Sequence, residues 1–197
     1  MNEISKDLDD GFELSPEVLR GCIDSAVNKL GSMGYSQKEK EMCHKLLIDV
    51  YEKEMLLKDA MHISDGIMAE FYVFAYSEFT SGNYQKARGL FTILTRLDPH
   101  NFQYALGLAV TLHRMKEYDL AVGMYMNCTF LEITNPIPYI YAYDCFLNKN
   151  SKLAAKDMLD NCIKYTGNKP EYAALKCRAI ALRTALLKQL KEEGKIV

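Results

Sequence analysis

No stretch of this 197-residue chain is apolar for long enough to cross a bilayer. The longest, FYVFAY from Phe71 and YALGLAV from Tyr104, fall far short of the roughly 20 residues a helix needs to span the hydrocarbon core. A basic stripe is missing too: Lys and Arg number 24 against 26 Asp and Glu, a net charge of −2, which argues against nucleic acid as a partner. The first residues, MNEISKDLDDGFEL, are acidic, without the basic start and apolar core of a secretory signal. The six cysteines, at 22, 43, 128, 145, 162 and 177, contain no Cys-x-x-Cys pair, so they read as free thiols in a reducing compartment rather than as zinc ligands or disulfides. A phosphate-cradling glycine loop, His-Glu-x-x-His and Gly-x-Ser-x-Gly are all absent. His44, His62, His100 and His113 are scattered, and His100 and His113 read as surface residues rather than as bases. These absences describe a soluble, cytoplasmic, non-enzymatic chain with no cofactor, no metal site and no membrane insertion.

What the chain does have is a period. Ala87, Ala121 and Ala155 lie 34 residues apart, as do Phe91, Tyr125 and Leu159; Leu94, Cys128 and Cys162; and Leu97, Leu131 and Tyr165. Phe71, Ala105 and Tyr139 form a further column, and Phe74, Leu108 and Ala142 another. A fixed period of this length marks stacked helical pairs, and 34 is the tetratricopeptide (TPR) spacing. The small residue in each copy implies two helices in close contact there. Turns between paired helices fall at Gly82, Lys116 and Asn150. Glycine and asparagine tolerate the left-handed conformation that ends a helix; lysine does so poorly, which predicts a different second turn.

The predicted fold is therefore all-α: a TPR-like solenoid of three repeats over 66–167, preceded by N-terminal helices over 15–63 and followed by a capping helix within 168–197, with 1–14 a disordered acidic arm. In the N-terminal part, Ser15 and Pro16 open a helix whose apolar face draws on Val18, Cys22, Val27 and Leu30. Ser36 and Glu39 form a capping box for a second helix running to about Asp59. Tyr172, Leu175, Ala179, Leu182, Leu186 and Gln189 or Leu190 give the last helix one largely apolar stripe, which suits a cap over the exposed end of a solenoid better than a short coiled coil.

In paired-helix repeats the first helix of each unit lines the inner face. There the first unit carries Tyr72, Tyr76 and Phe79, the second Leu106, Val110 and His113, and the third Ile140, Asp144 and Leu147. Spacings of four and three keep each trio on one helix face. Phe71, Phe74, Leu108 and Ala142 are expected to face the core instead. The inner face reads as an apolar trough for an extended peptide, or as a surface covered by the N-terminal helices. It lacks the basic set of a carboxylate-clamping groove.

The segment GIMAEFYVFAYSEFTSGNYQKARGLFTILTRLDPHNFQYALGLAVTLHRMKEYDLAVGMY resembles the class II chaperones of bacterial type III secretion. The matching features are Tyr72 to Tyr76 as Tyr-x-x-Ala-Tyr, Ser81 to Tyr84, Phe91 to Asp98, Tyr118 to Ala121, and Asn168 to Glu171. The resemblance covers about residues 45–190. It implies three TPRs between terminal helices and a groove holding a cargo segment of roughly the form Pro/Val-x-Leu-x-x-Pro. It also implies service, without ATP, in keeping hydrophobic translocators soluble and apart, with a gatekeeper protein and a homodimer as further partners. Tyr72, Tyr76 and Phe79 would form cargo pockets, with Val110 and His113 beside them. The chain departs from the family in the length of residues 1–40, in Tyr143 where alanine is usual, and in Lys116 at a turn glycine. A scaffold joining two folded proteins is the alternative reading of the same repeats.

Overall fold

The computed structural model describes residues 15–194, and among them every regular element is helical. The arm over 1–14 lies outside the described residues. The chain divides into two compact units, one ending at Ser64 and one beginning at Asp65.

The first unit holds α1 (Pro16–Ser32), α2 (Gln37–Tyr51) and the short α3 (Leu57–Ala60). The Ser15 hydroxyl accepts the Val18 N–H at 3.4 Å. Ser36 accepts the Glu39 N–H at 3.3 Å, while the Glu39 carboxylate takes the Ser36 N–H at 2.8 Å, so the capping box is complete. Two features differ from expectation. The buried stripe of α1 is Ile23 and Val27, with Leu19 and Leu30 half-buried, whereas Val18 and Cys22 are exposed; each helical residue turns about 100°, which carries those two off the packed face. And α2 stops at Tyr51. The Glu52 and Lys53 N–H groups both return to the Ile48 carbonyl, and Glu54 turns left-handed at φ 52°. Arg20 of α1 forks onto Glu52 just past the end of α2, its Nε 2.8 Å from the carboxylate.

The second unit runs α4 (Asp65–Thr80), α5 (Tyr84–Leu97), α6 (Phe102–Arg114), α7 (Tyr118–Leu131), α8 (Ile137–Asn148) and α9 (Lys152–Thr166), then a 3₁₀ turn at Pro170–Tyr172 and α10 (Ala173–Glu192). Each helix packs on the next, and α6 also lies beside both α4 and α8. Three of the four second-helix columns are buried in every copy; in the fourth, Leu97 is buried while Leu131 and Tyr165 are half-buried. Ala87, Ala121 and Ala155 have no exposure, nor do Tyr125, Leu159, Cys128 and Cys162, while Phe91 and Leu94 retain 1%. Burial raises the Cys128 and Cys162 thiols to about 12 and about 11, and all six cysteines are free. The Asn135 side chain accepts the Ile137 N–H at 3.1 Å and opens α8. α10 closes the stack, burying Ala179, Leu186 and Leu190 in one cluster with Leu159 and Cys162.

All three inter-helix turns are alike, Lys116 included. Gly82, Lys116 and Asn150 have φ of 79°, 61° and 59°. In each turn the following N–H reaches back five residues, Asn83 to Glu78, Glu117 to Leu112 and Ser151 to Phe146, which is the Schellman closure. Lysine takes the strained conformation because this closure and the packing of both helices over-determine it.

The first-helix columns fail at one end. Leu108 and Ala142 are buried, but Phe71 and Phe74, predicted for the core, are 41% and 52% exposed. α5 packs on α6 and α7 on α8, covering the outer side of those later first helices. α4 opens its unit, and no helix of that unit precedes it. Identical columns should therefore differ in energy. Leu108→Ala is expected to cost about 2–5 kcal/mol, and Phe74→Ala about 1 kcal/mol or less, read from denaturant unfolding of both variants. Separately, Lys116→Gly should stabilise the chain by about 0.5–1 kcal/mol, since relief of left-handed strain exceeds the extra entropy of an unfolded glycine; a rise in the melting midpoint checks this.

Candidate functional site

The inner faces of α4, α6 and α8 carry two adjoining cavities. The smaller, about 200 Å³, is lined by Tyr72, Tyr76, Phe79, Leu106 and Val110, together with Phe91, Gln103 and Gly107. Its walls are a run of rings. Tyr72 stacks on Tyr76 with centroids 6.5 Å apart and meets Phe91 edge-on at 6.1 Å, while Tyr76 lies 6.5 Å from Phe79 and Phe79 5.6 Å from Tyr84. Such pairs hold each other in place. Burial, and then the neighbouring Tyr76, push the Tyr72 phenol above its ordinary range, so it is a neutral hydrogen-bonding group. Tyr76 stays 54% exposed.

The larger cavity, about 770 Å³, shares Val110 and adds His113, Ile140 and Asp144 from the predicted set. His113 is not a surface residue: its side chain is 17% exposed, whereas His100 is exposed. Its Nε2 lies 2.9 Å from the Asp144 carboxylate and its Nδ1 3.2 Å from the Tyr125 hydroxyl. The carboxylate can only accept, so Nε2 donates to it. The imidazole stands edge-on to Tyr118, Tyr125 and Tyr141 at 5.9, 6.0 and 6.5 Å. Leu147, the ninth predicted residue, packs against the cluster that α8 forms with α9 and α10; it sits in the last turn of α8, where that cluster closes around it.

Several lining residues escape a reading of the inner-face columns. Phe91 and Tyr125 belong to a column that is core by burial, yet their rings also floor the two cavities. Tyr172, Leu175, Arg178 and Leu182 come from the final turn and α10, outside the repeats. Gly107 does have a sequence signal, the Leu106-Gly107 pair within the TPR signature. A Cβ there would meet the Phe91 ring at 2.3 to 2.7 Å.

The tetratricopeptide repeat model matches residues 68–101. The SycD translocator chaperone of Yersinia enterocolitica, solved as an alternative dimer, is 30% identical with a TM-score of 0.61, over 66% of this chain and 98% of SycD. This chain belongs to the class II type III secretion chaperones. SycD in complex with a peptide of the translocator YopD is 29% identical with a TM-score of 0.62, again over 66% and 98%. The Salmonella dublin chaperone protein SicA is 24% identical over 160 residues, 79% of this chain and 94% of SicA. Among the described residues of this chaperone, no helix is long and apolar enough to cross a membrane.

Because the Phe91 ring is buried and cannot retreat, Gly107→Ala should destabilise the chaperone by about 1–3 kcal/mol through overpacking and deform the smaller cavity. Thermal unfolding reads the first effect, and a shift in tyrosine fluorescence the second.

Proposed function

We propose that this chain is a non-enzymatic chaperone of the bacterial cytoplasm, working without cofactor or metal. It binds an extended segment of a hydrophobic translocator along the inner face of α4, α6 and α8 and keeps that cargo soluble for secretion. A gatekeeper protein is a further candidate cargo, and a homodimer a candidate resting form. The observation that carries the reading is the ring-walled cavity of Tyr72, Tyr76 and Phe79, open to solvent and adjoining at Val110 the cavity of His113, Ile140 and Asp144. An apolar side chain entering the ring-walled pocket would exchange water for the ring faces, while an extended backbone could run on past Val110. SycD crystallised with a translocator peptide supports the same mode.

Exposed aromatics that line such a pocket contribute to binding more than to folding. Tyr76→Ala should weaken a Pro/Val-x-Leu-x-x-Pro peptide by about 30-fold, the effect of removing a buried anchor worth roughly 2 kcal/mol, while the melting curve stays close to that of the parent. Titration calorimetry with thermal melts tests this. Unchanged affinity in a folded variant would sink the groove assignment. If full-length cargo also stays soluble without this chain, the scaffold reading takes its place.

A further inference from the structure

We propose that the larger cavity is a charge-reading subsite, which takes an acidic side chain from the same extended segment whose apolar anchor fills the ring-walled pocket; this rests on the groove reading above. The two cavities share Val110, and an extended chain advances about 3.3 Å per residue, so one short segment reaches both. Their chemistry differs. The smaller cavity offers rings, aliphatic groups and the Gln103 amide. The larger one adds Arg114 from the end of α6, Arg178 from α10, Asp144 from α8 and Glu171 from the 3₁₀ turn.

The two arginines and two carboxylates are not equivalent: among the described residues Glu171 alone of the carboxylates has no ion-pair partner, against two such arginines. Asp144 is already engaged, with His113 Nε2 2.9 Å away. Arg20, Arg88 and Arg183 each hold a carboxylate elsewhere in the chain, but among the described residues neither Arg114 nor Arg178 forms an ion pair. Arg178 faces Tyr143, a cavity residue: its charge opposes the upward push that burial exerts on that phenol. A basic side chain entering here would meet two uncommitted guanidinium groups. A carboxylate would meet donors built for planar, two-pronged recognition. The cation pair arises from two elements 64 residues apart, one outside the repeats, which is why the inner-face columns show no basic set.

The test uses the full chain and synthetic fluorescein-labelled peptides with a Pro-Ala-Leu-Ala-Ala-Pro core in Gly-Ser flanks. A single Glu is moved through positions two to six residues from the core on either side, with Gln and Lys as replacements. At one position Glu should bind about 3–10-fold more tightly than Gln, and Lys more weakly than Gln. The preference should shrink at about 0.5 M salt, and the Glu-to-Gln ratio should fall towards one in Arg114→Gln/Arg178→Gln, whose melting curve reports its folding. If the neutral peptide binds but no position distinguishes Glu from Gln, the subsite is overturned and the groove reading stands. A preference for Lys assigns the cavity to Asp144 and Glu171 and equally overturns it. Binding of none of the peptides to the folded chain overturns the groove and the subsite together.

Discussion

The helix contact at Ala87, Ala121 and Ala155 is the constraint on which the rest of the second unit depends. A residue with no exposure and no side chain beyond a methyl stands there in every repeat. Close-packed interiors tolerate neither a void nor an extra methylene at such a contact. With the second helices held there, Phe91, Tyr125 and Leu159 fall one turn on, also buried. The paired helices then stack with a fixed offset, and the first helices α4, α6 and α8 come side by side on one face. The inner face is thus a by-product of packing on the other side of the same helices.

The division of labour between columns explains how a groove stays apolar without collapsing. Tyr72, Tyr76 and Phe79 brace one another and rest on the buried Phe91. Their rings are held by contacts that leave one edge to solvent, and the phenol groups of the tyrosines keep that edge wettable. Gly107 lets the Phe91 ring come up to the cavity wall, since any side chain there would occupy the same space. In the third repeat the pattern changes. The column of Ala75 and Ala109, both without exposure, continues as Tyr143. A ring cannot fit where a methyl does; Tyr143 packs in the cluster shared with α10 and walls the larger cavity. This departure from the family's alanine coincides with the point where the groove turns from apolar to charged.

Most of the helical architecture was legible in the sequence. Periodicity reports burial directly wherever a residue's neighbours repeat along with it, and the columns of Ala87, Phe91 and Leu94 meet that condition in all three copies. The capping box at Ser36 and the closure at Gly82 were legible as well, being set by residues within six positions of one another. The exposed Phe71 and Phe74 were not: their column is core only where a helix precedes it, and the column itself does not say where the stack begins. The left-handed Lys116 was not legible either, because the intrinsic preference of lysine opposes it and the closure that overrides that preference is set by the packing of both helices. Eight of the nine predicted inner-face residues line one of the two cavities; Leu147 does not, because helical spacing gives its direction but not what stands in front of it.

By itself, then, the sequence determined the repeat helices, their pairing, the small-residue contact and the face to which Tyr72, Tyr76 and Phe79 belong, because these follow from a period of 34 and from local backbone chemistry. Only the tertiary structure decided that His113 bridges Tyr125 and Asp144, that Phe91 and Tyr125 serve core and cavity at once, and that Arg114 and Arg178 line one cavity. His113 with Asp144, and Arg114 with Arg178, come from helices that are not neighbours in the chain, and all of these placements depend on distances that no repeat pattern encodes.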